Sequence, residues 1–106
     1  MDTTLNFRDK IIAVDFDNTL TLSSTYPITG KLNMNVVNKV KELKKSNVII
    51  LWTCREGEEL QEAINLCSNV GLYFDFINQN ADGSLSRKIK ADYYLDDKAI
   101  NIKDFL

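Results

Sequence analysis

Apolar residues fall into short continuous runs that alternate with segments of helical period. Ile11-Ile12-Ala13-Val14 is unbroken by polar residues, the pattern of a strand buried on both faces of a parallel sheet. It predicts a strand over residues 10–16, after a short leader at residues 1–8. A polar loop rich in Thr and Ser follows over residues 19–30, punctuated by Pro27 and Gly30. Val36, Val37, Val40 and Leu43 then recur at helical spacing with lysines between them. Asn33 or Asn35 is placed to cap that helix. Its end is expected near Lys45 or Ser46, with cations at the negative end of the helix. Val48-Ile49-Ile50-Leu51-Trp52 predicts a second buried strand. Leu60, Ala63, Ile64, Cys67 and Val70 mark one face of a second helix, with Gly71 as its stop. A weaker third strand falls within residues 72–77. Residues 78–86, with Asp82-Gly83, read as loop, and residues 89–95 hold a fourth strand. Residues 98–106 read as a short last helix or turn.

Strand, helix, strand, helix, strand, loop, strand is the order of an α/β protein with a parallel sheet and right-handed crossovers. At 106 residues the chain is expected to form a single domain, residues 1–106. In such a sheet all strands point the same way, so their carboxyl ends share one edge. Polar groups gather after three of those ends: Asp15 and Asp17, Thr53 and Arg55, Asp96 and Asp97. Asp15 and Asp17 share strand parity and could face one site. Two like charges so close are tolerated when a cation or a proton lies between them.

Composition narrows the chemistry. There is no histidine, which excludes Ser-His and Cys-His catalysis and His-ligated zinc. Acid–base work then falls to carboxylates, Lys, Tyr or Cys. Two cysteines, Cys54 and Cys67, are too few for a disulfide scaffold or a four-Cys zinc site. They read as reduced thiols with packing roles. The net charge of −2 gives no global basic field for nucleic acid. No apolar stretch approaches the ~20 residues of a membrane span, and residues 1–10 show no signal-peptide pattern. A cytoplasmic location without membrane association is the expectation. Trp52 reads as core, and Tyr93 and Tyr94 should point to opposite sheet faces.

Asp15-Phe16-Asp17-Asn18-Thr19 resembles the first motif, Asp-x-Asp-x-Thr, of the haloacid-dehalogenase-like (HAD) phosphohydrolase superfamily. Thr53 at the end of an apolar strand resembles the second motif. A lysine upstream of the last strand resembles the third, and Asp96-Asp97 the fourth. The likeness spans nearly the whole chain, with all four motifs in order. Residues 51–57 and 91–97 look like segments of small HAD-like hydrolases from bacteria and bacteriophages. The Leu-Asp-Asp ending is also similar to that of the deoxyribonucleotidases in the superfamily.

The resemblance implies a three-layer Rossmann-like core and a Mg²⁺-dependent phosphatase acting on phosphate monoesters. By it, Asp15 is the nucleophile, forming an aspartyl-phosphate, and Asp17 is general acid and then base. Thr53 binds phosphoryl oxygens. Lys88 offsets charge, with Lys90 as the alternative for that place. Thr19, Arg55, Arg87 and Lys90 are expected near the substrate, although Arg55 also reads as a surface charge at the start of a helix. Mg²⁺ is expected on Asp15, the backbone carbonyl of Asp17, and one or both of Asp96 and Asp97, since hard oxygen ligands suit it.

The segments that hold an inserted cap domain in many relatives are too short here to hold one. A capless site is open, and residues 21–30 are the lid candidate. The expected partner is a phosphorylated substrate, either a small molecule or a nucleic-acid end, with a nucleotide or nucleic-acid phosphate preferred by similarity. The alternatives are a small-molecule phosphatase or pyrophosphatase completed by oligomerisation, and a non-catalytic phosphoacceptor like a response-regulator receiver. In receivers the acidic pair normally follows the first strand. Here it comes last, which favours the hydrolase.

Overall fold

The computed structural model describes residues 9–22, 29–82 and 90–96. β1 (Ile11–Val14) lies at the centre of the sheet, where an all-apolar run has to lie. It pairs in parallel with β2 (Val48–Leu51) on one side, Ile12 opposite Ile49, and with β4 (Tyr93–Leu95) on the other, Val14 opposite Leu95. β3 (Phe76–Ile77) pairs with β2, and the strand order is β3-β2-β1-β4 with every pair parallel. The fold is α/β, as the alternation of runs predicts.

α1 (Met34–Lys44) is capped by Asn33, whose side chain accepts from the Val36 N–H. Lys41 and Lys44 stand in its last turn, where the helix is negative. The Lys41 ammonium also donates to the Val70 carbonyl at 2.8 Å, tying α1 to the end of α2 (Gly57–Asn69). Gly71 follows with φ +84°, the left-handed stop expected of it, and a Cβ there would sit 3.2 Å from the Lys41 ammonium.

Strand parity divides the core. Ile12, Val14, Ile49, Leu51 and Leu95 meet Val36, Val37, Val40 and Leu43 of α1 and Ala63 and Cys67 of α2. Ala13 and Ile50 form the opposite face with Trp52, Phe76 and Tyr94 around them. Tyr93 packs with the first cluster and Tyr94 with the second, as their alternation requires. Both described helices therefore lie on one face, which is what right-handed crossovers from β1 to β2 to β3 demand. β4 is on the other side of β1, so strand order reverses between β1 and β4. Open α/β sheets hold ligands beyond the carboxyl ends of the strands at such a reversal.

The strands are shorter than the apolar runs suggest, because side chains take over the pairing at their ends. Asp75 donates its N–H to the Ile49 carbonyl, and its carboxylate accepts the Ile49 N–H at 2.8 Å. Asp92 does the same to Ile11, N–H to carbonyl and carboxylate to N–H, both at 2.7 Å. Each aspartate closes a ring with the neighbouring strand at the point where its own strand begins. The last helix expected at residues 98–106 lies outside the described residues. No helix among the described residues is long and apolar enough to cross a membrane.

Candidate functional site

Beyond Val14 the chain leaves the sheet through a tight turn at Phe16–Leu20, closed by the Thr21 N–H donating to the Phe16 carbonyl. Its two apolar side chains, Phe16 and Leu20, are completely buried and pin the turn to the core. Asn18 has φ +63°, a left-handed position that Asn tolerates better than most residues. The Thr21 hydroxyl accepts the Asn18 N–H at 2.8 Å. A bridge between Thr21 and Leu32 then fastens the base of the following loop. Most of that lid candidate, residues 23–28, lies outside the described residues.

Asp15 occupies the first position of this exit and is half-buried. Its N–H donates to the Leu95 carbonyl at 3.0 Å, so it stands directly beside the end of β4. Its carboxylate accepts the Phe16 N–H at 2.9 Å. Val14 is in register with Leu95, so Asp96, also half-buried, leaves the neighbouring strand at the same level. Two aspartates thus leave adjacent strands at the reversal of strand order. The donors they offer, with the Asp17 carbonyl, are all oxygen, which suits Mg²⁺ rather than a thiophilic metal. Among the described residues no group of three or more Asp, Glu or Cys side chains gathers around one point. Asp97, the remaining candidate ligand, lies outside them.

Asp17 is held differently. Arg55 Nε donates to Asp17 Oδ2 at 2.9 Å, and Nη2 donates to Oδ1 at 2.7 Å. This two-pronged pairing is the strong form of the guanidinium–carboxylate interaction. Nη1 donates to the Thr29 hydroxyl at 3.1 Å, and the guanidinium carbon stands 5.1 Å from the centre of the Phe16 ring. The side chain of Arg55 is 0 % exposed and that of Asp17 is 21 % exposed. Arg55 is therefore no surface charge at a helix start. Expected among the substrate contacts, it is enclosed, and what it touches is Asp17. The Asp17 carboxylate is engaged with Arg55, which leaves its backbone carbonyl as its donor toward a metal.

Thr53 is buried beside this pair. Its hydroxyl accepts the Arg55 N–H at 3.1 Å and keeps its own proton to donate. Its N–H is already taken by Asn78 Oδ1 at 2.8 Å. Asn78 has φ +51°, so a strained backbone position aims this acceptor at the end of β2. Nothing in the sequence reading singled out Asn78, although Asn just after an apolar strand is a recognisable turn signal.

The remaining expected residues fall as follows. Thr19 is 1 % exposed, and its hydroxyl has no partner among the described residues, so it is enclosed in the turn rather than presented outward. Lys90 is exposed and donates its N–H to Asn80 Oδ1. It precedes Asp92, which pairs with Ile11, four residues or about 13 Å of strand below Asp15. Lys90 is not brought to the Asp15 end. Arg87 and Lys88 lie outside the described residues. Cys54, expected to pack, is exposed between Thr53 and Arg55. Cys67 does pack, and burial pushes its thiol up to about 12, so it stays protonated and inert. Trp52 is half-buried and meets Tyr94 edge to face at 5.6 Å.

No family model matches the sequence, and no curated protein is found similar to it. Among solved structures the chain is similar to a conserved protein from Bacteroides thetaiotaomicron. The two are 38% identical, the match covers 88% of this chain and 79% of that one, and the TM-score is 0.77. With that identity over that share of both chains, this protein belongs to the same family as the conserved Bacteroides protein.

Proposed function

We propose that this protein is a Mg²⁺-dependent phosphohydrolase that cleaves phosphate monoesters through an aspartyl-phosphate on Asp15. One observation carries the reading. Asp15 and Asp96 leave adjacent strands at the reversal of strand order, with a partly exposed Asp17 two residues along and Thr53 at the end of the next strand. The order of these groups along the chain, and their similarity to the HAD motifs, support it.

In this reading a carboxylate oxygen of Asp15 attacks phosphorus, and the bond from phosphorus to the ester oxygen breaks. Asp17, having taken a proton from solvent, gives it to the departing oxygen. Asp17 then takes a proton from water, the water oxygen attacks phosphorus, and phosphate leaves Asp15 free again. Splitting one displacement into two is the general use of a covalent intermediate. The Thr53 hydroxyl donates to a phosphoryl oxygen as charge builds there. Lys88 is the lysine assigned to offset that charge. Asp15, the Asp17 carbonyl and one or both of Asp96 and Asp97 would hold Mg²⁺. When bound, the ion screens the anionic nucleophile from the anionic phosphate.

Between Val14 and Val48 the described residues hold only the turn, the bridge and α1, with no inserted domain among them. An open edge suits a nucleotide or a nucleic-acid end as the phosphate donor. The test is hydrolysis of an aryl phosphate by wild type and Asp15→Asn, with Mg²⁺ and with chelator. Turnover that requires Mg²⁺ and falls by more than ~10³-fold in the variant is expected. Equal rates for the two proteins would refute the nucleophile and with it the reading.

A further inference from the structure

We infer that Arg55 is the positioning residue of the acid–base carboxylate, holding Asp17 through a relay that reaches α2, and that it does not bind substrate. The inference rests on the phosphohydrolase reading and deepens it. Its basis is the difference in exposure within one ion pair. Asp17 reaches solvent and Arg55 does not, so an incoming phosphate ester can meet the carboxylate but not the guanidinium.

Among the described residues the relay runs through Asp17, Arg55, Thr29 and Glu62. Asp17 takes Nε and Nη2 of Arg55, the Thr29 hydroxyl takes Nη1, and Thr29 donates in turn to Glu62 Oε1 at 2.9 Å. Those members come from the turn after β1, the end of β2, the segment entering α1, and α2. The Phe16 ring under the guanidinium fixes its plane. A planar fork pinned at this many points can hold a carboxylate in only one orientation. General acid catalysis needs that: the carboxyl must stand within hydrogen-bond reach of the oxygen it protonates. A lysine, as a single point charge, cannot engage both carboxylate oxygens in the same way.

Burial of Arg55 also explains why substitution of Asp17 is a poor probe. Removing one partner of a buried pair strands the other charge and is strongly destabilising. A lost activity in an Asp17 variant would therefore mix chemistry with stability. Two variants on the other side of the pair separate them: Arg55→Lys keeps a charge, and Thr29→Val removes only the hydroxyl that steadies Nη1.

The experiment compares two substrates in the pre-steady-state burst with Mg²⁺ present. Dinitrophenyl phosphate has a leaving group that departs without a proton. A simple alkyl phosphate requires protonation of its leaving oxygen. Arg55→Lys is expected to slow the alkyl burst by about 100-fold, the low end of general acid catalysis, and the dinitrophenyl burst much less. Thr29→Val should show the same selectivity with a smaller loss, which keeps the test decisive if Arg55→Lys fails to fold. Equal losses on the two esters, or a loss confined to KM, would overturn the positioning role while leaving the phosphohydrolase intact. Absence of turnover in the wild type on both esters would overturn the phosphohydrolase reading and this inference together.

Discussion

The two edges of this sheet carry aspartates at strand ends, and they use them in opposite ways. At the amino-terminal edge Asp75 and Asp92 each return a carboxylate oxygen to the backbone N–H of the neighbouring strand and donate their own N–H to its carbonyl. Such an aspartate completes the ladder. At the carboxyl edge Asp15 and Asp96 leave adjacent strands at the same level. Asp17 is clamped by an enclosed arginine. Asp15 too donates its N–H to a neighbouring strand, at the Leu95 carbonyl, but its carboxylate accepts the Phe16 N–H of its own turn. The same residue type, at the same kind of place, answers a backbone N–H of the next strand at one edge and, at the other, the Phe16 N–H of its own turn or the Arg55 guanidinium.

The contrast is open to measurement, and the largest effect belongs to the carboxyl edge. A ligand that binds only the folded protein stabilises it by about 2.7 kcal/mol at a hundred times its dissociation constant. Mg²⁺ titrated into wild type should therefore raise the midpoint of thermal unfolding, and Asp15→Asn should show little or no rise. In the absence of metal that variant should be as stable as wild type or more so, because one of two adjacent like charges is gone. A wild-type midpoint indifferent to Mg²⁺ would place Asp15 with Asp75 and Asp92, as a residue of the frame.

At the other edge the sign reverses. Asp75→Ala leaves the Ile49 N–H without its acceptor next to a completely buried residue and removes the 3.0 Å ion pair with Lys44. An orphaned buried donor costs about 1–3 kcal/mol. Chemical denaturation should show a loss of that size, with the Mg²⁺ response and the activity per folded molecule kept. Loss of turnover in a folded Asp75→Ala protein would erase the distinction between the edges.

Much of this was legible in the residues, for reasons that also say where legibility stops. Continuous apolar runs and helical spacing locate β1, β2, α1 and α2, because burial on both faces leaves no room for polar residues. The carboxyl edge follows from strand direction alone, so Asp15, Asp17, Thr53 and Asp96 could be brought together before any coordinates. What the chain does not announce is tertiary pairing. Arg55 looks the same in sequence whether it faces solvent or Asp17, 38 residues away. Asn78 and Thr29 act through side-chain hydrogen bonds to residues 25 or more positions distant. The expected strand over residues 89–95 starts later, at Tyr93, because Asp92 answers Ile11 through its side chain. Cys54 reads as a packing residue by type, but its position just past β2 exposes it.

The smallest effect tests whether the two frame aspartates are equals. Asp92 makes the same closed ring as Asp75, and its bond to the Ile11 N–H is the shorter of the two at 2.7 Å. Yet the setting differs. Ile11 is half-buried where Ile49 is completely buried, and Asp92 is exposed with no ion pair to a helix among the described residues. Water can reach the Ile11 N–H once the carboxylate is gone, and a water-mediated bond recovers most of what is lost. Asp92→Ala should therefore cost about 0.5–1 kcal/mol, less than Asp75→Ala in the same denaturation experiment. β4 also carries Asp96, so a frayed start to β4 would reach the proposed metal site through three strand residues. A weakened Mg²⁺ response in Asp92→Ala, absent in Asp75→Ala, would mean that the two edges communicate along β4 and that the separation drawn between them holds only for β2 and β3.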